Sequence, residues 1–282
     1  MTKKLSDPKN TIELIKQNQF AFKKKFGQNF LIDGRVLDRI VQGAGITKED
    51  DVLEIGPGIG ALTQVLCEAA RHVRAVEIDR ELIPILEKSL SDYDNVDVIN
   101  ADIMDTELRD LYPGPFKVVA NLPYYITTPI VMKLLESDAD IESITVMVQK
   151  EVAERMQAAP GGKDYGVLTL SVAYHAEAEI IANVPPNCFM PRPDVSSAVI
   201  KLRRRSEPAV TPRSPDHMFR LIRAAFSQRR KTLINAVSND VSLGLPKAEL
   251  EAALQELGLD TRIRGERLSL QDFSDLSDIL TA

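Results

Sequence analysis

Seven short apolar runs alternate with segments of helical periodicity, and no other feature of the sequence constrains the fold as strongly. The runs are Asp51–Ile55, His72–Ile78, Val96–Ala101, Phe116–Ala120, Ile144–Val148, Leu168–Ala173 and Ala198–Leu202. The helical segments between them are Ala61–Ala70, Arg80–Leu90, Thr128–Glu136 and Val152–Ala158. Strands that alternate with helices of about ten residues are typical of βαβ units, which build a mostly parallel sheet. The alternation predicts an α/β domain with a seven-stranded sheet and helices on both faces.

The last two runs, Leu168–Ala173 and Ala198–Leu202, have no clear helix between them. We therefore expect these two strands to form an antiparallel edge of the sheet, joined through the proline-rich loop Val184–Val195.

The chain changes character after the seventh run. Arg203–Pro215 is rich in Arg, Pro and Ser, which is typical of a linker. The pattern beyond it is purely helical, in the segments Phe219–Ala225, Thr232–Val241, Lys247–Leu257 and Leu270–Leu280. These features predict an α/β domain over residues 1–205, with a basic segment at 1–30, and a small α-helical domain over residues 206–282.

The net charge of −6 conceals a strong segregation of charge along the chain. Residues 1–30 carry seven lysines against two acidic residues, and residues 201–235 carry ten basic residues against two acidic ones. Residues 77–110 carry eleven acidic residues against three basic ones. A mildly acidic chain can thus still present basic surfaces to a polyanion such as a nucleic acid.

Composition excludes several classes of protein. With 44% hydrophobic and 27% charged residues, the chain is typical of a globular protein rather than a disordered one. No apolar stretch approaches the roughly 20 residues of a membrane span, and the first residues lack the apolar core of a secretory signal. Its two cysteines and three scattered histidines fit neither a disulfide framework nor a metal site. We expect a cytoplasmic, metal-independent protein, and nothing demands more than a monomer.

Ligands of open α/β sheets bind outside the carboxyl ends of the strands, where this chain carries glycines and acidic residues. The first run leads into Glu54-Ile55-Gly56-Pro57-Gly58-Ile59-Gly60, whose glycines let the backbone approach a ligand. Glu77, at the end of the second run, lies 21 residues after Gly56, an offset that suits an acid bound to ribose hydroxyls. Asp102 follows the third run and can accept from an adenine amine. This set suits NAD and S-adenosylmethionine about equally.

The end of the fourth run, Asn121-Leu122-Pro123-Tyr124, favours S-adenosylmethionine. The N6 amine of adenine is a poor nucleophile because its lone pair is delocalised into the ring. The Asn121 side-chain oxygen and the Leu122 carbonyl, by accepting its two hydrogens, would favour a pyramidal nitrogen and aim the lone pair at a methyl group. Pro123 would stiffen the turn, and Tyr124 would offer a face on which a flipped base stacks. An amide cannot take a proton, so Asn121 would position the base rather than act as a general base.

These motifs together resemble the ribosomal RNA adenine N6-dimethyltransferases. The resemblance spans about residues 20–280 and rests on four sequences, Gln28-Asn29-Phe30-Leu31, Glu54–Thr63, Glu77-Ile78-Asp79 and Asn121-Leu122-Pro123-Tyr124. Pro57 and the segments 125–129 and 189–195 favour the bacterial small-subunit branch over the antibiotic-resistance methylases. The resemblance implies a Rossmann-like S-adenosylmethionine-dependent methyltransferase fold with a helical C-terminal domain.

The resemblance also implies roles for individual residues. The cofactor S-adenosylmethionine would contact Asn29, Leu31, Glu54, Gly56, Gly58, Glu77, Ile78, Asp102, Ile103 and Asn121. The target base would be held by Asn121, Leu122, Pro123 and Tyr124, with Phe189 as a second aromatic wall. Phosphates would be contacted by Lys23, Lys24, Lys25, Arg223, Arg229, Arg230 and Lys231. The implied reaction dimethylates two adjacent adenosines in a hairpin loop near the 3′ end of 16S rRNA, within the assembling small ribosomal subunit.

Three other functions stay open on the sequence alone. A large-subunit rRNA adenine methylase of the resistance type shares the catalytic motifs and differs in its RNA target. A DNA adenine methyltransferase would more often carry Asp in place of Asn121 and a separate sequence-reading domain. An assembly factor with secondary catalysis would bind the small subunit in the same way. A dehydrogenase is disfavoured, since no hydride-handling His, Lys or Tyr-Lys pair is evident.

Overall fold

The computed structural model describes residues 3–18 and 27–281, so the predicted phosphate contacts Lys23, Lys24 and Lys25 lie outside the described residues. The strands are β1 (Phe30–Leu31), β2 (Asp51–Ile55), β3 (His72–Glu77), β4 (Val96–Asn100), β5 (Phe116–Asn121), β6 (Ile141–Gln149), β7 (Ala176–Val184), β8 (Phe189–Met190) and β9 (Ser197–Arg204). The helices are α1 (Pro8–Gln17), α2 (Gly34–Ala44), α3 (Ala61–Ala69), α4 (Ile83–Ser89), α5 (Thr127–Glu136), α6 (Lys150–Met156), α7 (Val167–His175), α8 (Pro215–Ser227), α9 (Leu233–Ser238), α10 (Lys247–Glu256) and α11 (Leu270–Leu280).

A seven-stranded sheet in the order β4-β3-β2-β5-β6-β9-β7 forms the centre of the protein. The strands from β4 to β6 run parallel to their neighbours, and β9 is antiparallel to β6. The predicted α/β architecture, a mostly parallel seven-stranded sheet with a helical C-terminal part, is confirmed. The chain leaves β2 toward β3 and β4 and then returns to β5 on the other side of β2, which creates a switch point at the carboxyl ends of β2 and β5.

Helices cover both faces of this sheet. One face packs against α1 to α4 in a single cluster that includes Val52, Val119 and Met147. The alternate strand residues, such as Val118 and Val146, are equally buried on the opposite face. Helix α5 contacts β6, and its buried residues lie outside the first cluster. Strands buried on both faces explain why the sequence shows continuous apolar runs rather than alternation.

The predicted strand Leu168–Ala173 is wrong, because these residues lie in helix α7. Five consecutive residues of α7, from Leu168 to Val172, are buried, so the helix has no polar face in that stretch and its sequence resembles a buried strand. The strand absent from the prediction is β7. It begins with alternating Ala and Glu residues, so the sequence shows no continuous apolar run there. β7, rather than Leu168–Ala173, is the neighbour of β9 at the edge of the sheet.

A second, two-stranded sheet ties the N-terminal region to the loop after β7. β1 pairs antiparallel with β8, so that Leu31 lies opposite Phe189 and Phe30 opposite Met190. The amide of Ile32 also donates to the Cys188 carbonyl at 2.8 Å. These bonds hold residues 30–32 in an extended conformation beside the carboxyl end of the main sheet.

The chain forms two compact units, Met1–Ala153 with Glu177–Arg204, and Glu154–Ala176 with Arg205–Ala282. The predicted division assigned residues 154–176 to the first domain, whereas in the structure they pack with the second unit. The reason is that α7 contributes Leu170 and Tyr174 to the core of that unit, where the Tyr174 ring lies edge-on to Phe219 at 5.1 Å. No helix within the described ranges is long and apolar enough to cross a bilayer.

Candidate functional site

A cleft opens at the switch point of the sheet, with about 820 Å³ of space that is partly open to solvent. We call it the inner cleft. It is lined by segment 27–31, by residues of 54–62 at the end of β2 and in the glycine loop, by Glu77 and Ile78 at the end of β3, by Leu82 before α4, and by segment 121–125 at the end of β5. The structure thus brings together most of the residues that the sequence predicted, namely Asn29, Leu31, Glu54, Gly56, Gly58, Glu77, Ile78, Asn121, Leu122, Pro123 and Tyr124.

The glycine loop contributes backbone atoms to the wall of the inner cleft. Gly56 and Gly58 have φ angles of +68° and +62°, which residues with a side chain rarely adopt. A Cβ atom at Gly56 would meet nothing within 4 Å, so open space lies next to its backbone. A Cβ atom at Gly58 would lie 2.9 Å from the Phe30 ring, so glycine there allows segment 27–31 to pack on the loop.

Glu77 presents a fixed carboxylate to the inner cleft. Its side chain is 4% exposed, and its two oxygens accept from the amides of Gly58 at 3.1 Å and Asp79 at 2.8 Å. Burial raises the pKa of Glu77, and the two backbone amides partly counter that effect. Each carboxylate oxygen has a further lone pair, so Glu77 can still accept hydrogen bonds from the hydroxyls of a ligand.

Glu54 is a buried polar residue of the inner cleft with one oxygen that no described residue satisfies. It lines the inner cleft, is 1% exposed, and its Oε2 atom has no hydrogen-bond partner within the described residues. Burial, assisted by the negative charge of Glu77, raises the pKa of Glu54 to about 8. An unpaired buried carboxyl is costly, which indicates a ligand that supplies a donor at this point.

Asn121 is held in one orientation by the N-terminal segment. Its Nδ2 atom donates to the Asn29 carbonyl at 3.0 Å. Because the amide nitrogen faces Asn29, the Oδ1 atom faces away, and it has no partner among the described residues. The amide of Leu122 donates to the Met147 carbonyl at 3.1 Å, and its own carbonyl likewise has no partner within the described ranges. The end of β5 therefore offers two adjacent acceptors.

Hydrogen bonds to Pro123 and Tyr124 fix the turn after Leu122. The Pro123 carbonyl accepts from the Ile126 amide at 3.3 Å and from the Thr127 hydroxyl at 3.1 Å. The Tyr124 hydroxyl is hydrogen-bonded to the Ser197 hydroxyl at 2.7 Å, which fixes the ring. Burial raises the pKa of Tyr124, and the Ser197 bond partly counters it, so the phenol stays protonated at neutral pH.

Three predicted site residues are not among the described residues that line the inner cleft. Phe189 is 4% exposed and packs in the core cluster, opposite Leu31. Ile103 is 7% exposed and also buried. Asp102 accepts from the Met104 amide at 2.8 Å, and its charge raises the pKa of Tyr125 in addition to burial, so it lies near a residue of the cleft rim. The roles of these three residues stay predictions.

Two residues of the inner cleft with polar side chains had no predicted role. Tyr125 lines the cleft and is 59% exposed, an unusual state for a tyrosine next to a site. Gln28 also lines it and donates to the Asp79 carboxylate at 2.9 Å, which links segment 27–31 to the end of β3. The available signal was their position, since each is adjacent in sequence to a predicted site residue.

The residues of the second unit that are predicted to contact phosphates differ in whether their side chains already have partners within the protein. The Arg229 guanidinium donates to the Lys163 carbonyl at 2.9 Å, pairs with Glu266 at 3.3 Å and lies over the Phe226 ring. Arg223, Arg230 and Lys231 are exposed, and their side chains have no partner within the described part of the chain. Among the described residues, no group of three or more His, Cys, Asp or Glu could hold a metal ion.

Comparison with known proteins identifies the family. The model of the family described as "Ribosomal RNA adenine dimethylase" matches residues 19–282. The chain belongs to this family. A protein from Lachnoclostridium phytofermentans, "Ribosomal RNA small subunit methyltransferase A", is 56% identical over 98% of this chain and 97% of its own length. A protein of the same name from Bacillus licheniformis is 48% identical over 99% and 98%.

Two solved structures of the same kind of protein share the fold. A dimethyladenosine transferase from Plasmodium falciparum is 30% identical, with a TM-score of 0.76 over 88% of this chain and 95% of that chain. The 23S rRNA methyltransferase ErmE is also 30% identical, with a TM-score of 0.68 over 90% and 100%. The predicted fold, a Rossmann-like methyltransferase fold, and the predicted enzyme class, an rRNA adenine dimethyltransferase, are confirmed.

The state of Glu54 gives a first testable expectation. Because its carboxyl keeps its proton in the folded protein up to about pH 8 but loses it near pH 4.5 when unfolded, the free energy of unfolding should fall as the pH rises between these values. Glu54→Gln has no carboxyl that titrates at this position. Between pH 5 and pH 8 the wild type should therefore lose on the order of 3 kcal/mol of its free energy of unfolding, and the variant should not show this loss. Urea unfolding at both pH values measures the difference. Parallel pH profiles for the wild type and Glu54→Gln would contradict it, and exposed Glu251→Gln is the matched control.

Proposed function

We propose that this protein uses S-adenosylmethionine to dimethylate the N6 atoms of two adjacent adenosines in small-subunit rRNA, in the hairpin loop near the 3′ end of 16S rRNA. The single observation that carries the proposal is the pair of free acceptors, Asn121 Oδ1 and the Leu122 carbonyl, at the wall of the inner cleft. An exocyclic amine has two hydrogens to donate to such a pair. The names of the relatives from Lachnoclostridium phytofermentans and Bacillus licheniformis support the small-subunit target.

The residues that line the inner cleft suit S-adenosylmethionine. Glu77 would accept from the ribose hydroxyls, and the half-exposed Ile78 would cover the apolar face of the adenine. Asn29 and Leu31 would contact the methionine end, and the unpaired carboxyl of Glu54 would accept from its ammonium group. When bound, the cofactor supplies a methyl group already activated by the sulfonium charge.

The adenine end of the cofactor would be bound by Asp102 and Ile103, as the family resemblance implies. Asp102 lies close enough to Tyr125 to raise the pKa of that phenol, and Tyr125 lines the inner cleft. One carboxylate oxygen of Asp102 already accepts from the Met104 amide, which orients the group. Its other oxygen would accept from the exocyclic amine of the cofactor.

The target base would enter beside segment 121–125. Asn121 Oδ1 and the Leu122 carbonyl would each accept one N6 hydrogen and turn the nitrogen lone pair toward the methyl group. Tyr124 would stack on the base, and base–aromatic stacking is worth about 1–3 kcal/mol. Phe189, opposite Leu31 in the β1–β8 pair, would form the second wall. The alkylated amine is acidic, so its proton can pass to solvent without a strong base in the site.

The second unit would position the RNA through its phosphates. Arg223, Arg230 and Lys231 are exposed and free to pair with them. Contacts of this kind hold the RNA in register and do not read its sequence. The target would be the small ribosomal subunit during assembly, in the cytoplasm, and the protein would act as a monomer.

Transfer of labelled methyl groups tests the proposed function. The substrates are small ribosomal subunits from a strain that lacks the modification, with large-subunit RNA and DNA in parallel. We expect dimethyladenosine in small-subunit RNA alone. Label in large-subunit RNA would indicate the activity of the resistance methylases, and binding of small subunits without label would indicate an assembly factor.

Asn121→Ala tests the orientation of the base. We expect methyl transfer to be abolished, because the N6 amine loses one of its two acceptors, while the cofactor dissociation constant stays within a few-fold of the wild-type value. Both are measured on the same preparation, by label transfer and by calorimetry. Asn183→Ala, on an exposed asparagine of β7, is the matched control. Near-normal turnover of Asn121→Ala would refute the role.

Glu77→Ala tests the ribose contact. Charge-assisted hydrogen bonds contribute about 1.5–3 kcal/mol each, so the variant should bind S-adenosylmethionine at least tenfold more weakly. Glu77→Gln keeps one acceptor oxygen and should be intermediate. Calorimetry measures the dissociation constants, and an unchanged value for Glu77→Ala would mean that the carboxylate serves only the glycine loop.

Arg229 and Arg230 are neighbours in sequence that should behave differently. Arg230→Gln should reduce the slope of log affinity for small subunits against log salt concentration by about 0.7–0.9, the value of one lost phosphate contact. Arg229→Gln should change the slope less and lower the melting temperature more, because its guanidinium is bound to Glu266 and Lys163. Equal slopes for the wild type and Arg230→Gln would mean that Arg230 makes no phosphate contact.

A further inference from the structure

A second cavity adjoins the inner cleft on the side of Tyr124. We call it the outer chamber. It shares Gly27, Gln28, Asn29 and Tyr124 with the inner cleft, and its other walls are Gln149, at the end of β6, and segment 191–195. All of these residues belong to the first compact unit. The bonds described above for Asn121 and Glu77 make no use of Gln149 or of segment 191–195.

The sheet places Gln149 on the same face as Asn121. In the parallel pair β5–β6, Asn121 is opposite Met147, and Gln149 lies two residues further along β6. Side chains two residues apart on a strand point to the same face. A strand spacing of about 4.8 Å and a rise of about 3.3 Å per residue separate the Cα atoms of Asn121 and Gln149 by about 8 Å.

Tyr124 lines both cavities, and Gln149 lies near its hydroxyl group. The Tyr124 hydroxyl is bonded to Ser197 at 2.7 Å, and Ser197 is the residue directly opposite Gln149 in the antiparallel pair β6–β9. Opposed residues of such a pair have neighbouring side chains on one face of the sheet. Gln149 thus lies just beyond the aromatic ring that would stack on the target base.

The side-chain amide of Gln149 is half-buried, and it has no hydrogen-bond partner within the described part of the chain. A neighbouring nucleotide of an unstacked RNA strand can span the interval from Asn121 to Gln149. An amide offers one donor and one acceptor in a plane, which is the complement of the N7 and N6 edge of adenine. Arg192, also without a partner in the described ranges, lies on the rim, where a phosphate of the strand would pass. Asp194 is on the same rim, and its carboxylate can accept from a ribose 2′-hydroxyl.

We infer that Gln149 is a specificity-determining residue, which reads the adenine that the proposed function places next to the target adenosine. The inference rests on the proposed function, because the target base defines which nucleotide flanks it. The outer chamber is then the place where the enzyme selects the sequence context of its target, while the inner cleft carries out the transfer.

A cycle of protein and RNA changes tests this role. The initial rate of methyl transfer onto the target adenosine is measured for the wild type and Gln149→Ala on unmodified small subunits. The subunits carry either adenine or guanine at each flanking position in turn. At one position, guanine should lower kcat/KM of the wild type at least tenfold. Gln149→Ala should lose a similar factor on the natural RNA and lose nothing further when guanine replaces adenine.

Three controls separate reading of the base from other effects. Gln42→Ala, at an exposed glutamine of α2, should behave as the wild type. Arg192→Ala should lower kcat/KM equally for both flanking bases, because a phosphate contact does not distinguish them. Melting temperatures show whether Gln149→Ala is folded, and Gln149→Glu, which keeps the size of the side chain, should also lose the preference for adenine over guanine.

The outcomes are distinct. The role of Gln149 is refuted if the losses of kcat/KM from Gln149→Ala and from the guanine substitution multiply independently, or if neither change slows the reaction. Either result leaves the proposed methyltransferase function intact. If the wild type fails to methylate the natural small subunit, the proposed function itself fails and the inference falls with it.

Discussion

The hydrogen bond from the Asn121 amide to the Asn29 carbonyl is the interaction on which the site depends. It joins residues 92 positions apart in sequence and settles which way the Asn121 amide faces. With the nitrogen committed to Asn29, the Asn121 oxygen faces away from that carbonyl and has no partner among the described residues, like the carbonyl of the adjacent Leu122. The β1–β8 pair holds segment 30–32 in place, next to Asn29, so a small sheet at the periphery orients an atom of the proposed active site.

Two buried carboxyls also line the inner cleft, and their environments separate their roles. Glu77 is satisfied by two backbone amides and is a preorganised acceptor. Glu54, one strand away, has a buried oxygen without a partner and a pKa raised to about 8. The protein carries the cost of this unsatisfied group in the absence of ligand, which is a common feature of binding sites that are built for a particular donor.

Much of the fold and of the inner cleft could be predicted from the sequence, because the physical causes are local. Apolar runs marked the central strands, and the glycine loop, Glu77 and Asn121 follow strand ends, where parallel sheets bind ligands. Helix α7 was not recognisable because it is buried on nearly all sides, and β7 because its alternating glutamates face outward. Gln149 carries no signal in the sequence. Its position depends on the register of β6 with both β5 and β9, which only the folded sheet defines.

The most direct test of the central claim is a structure of the protein with a non-reactive cofactor analogue and an RNA fragment that carries the target adenosine. We expect the N6 atom about 3 Å from both Asn121 Oδ1 and the Leu122 carbonyl, with the Asn121 nitrogen still bonded to Asn29. A base bound with N6 directed away from these two oxygens would contradict the claim. So would an Asn121 amide turned so that its oxygen faces Asn29.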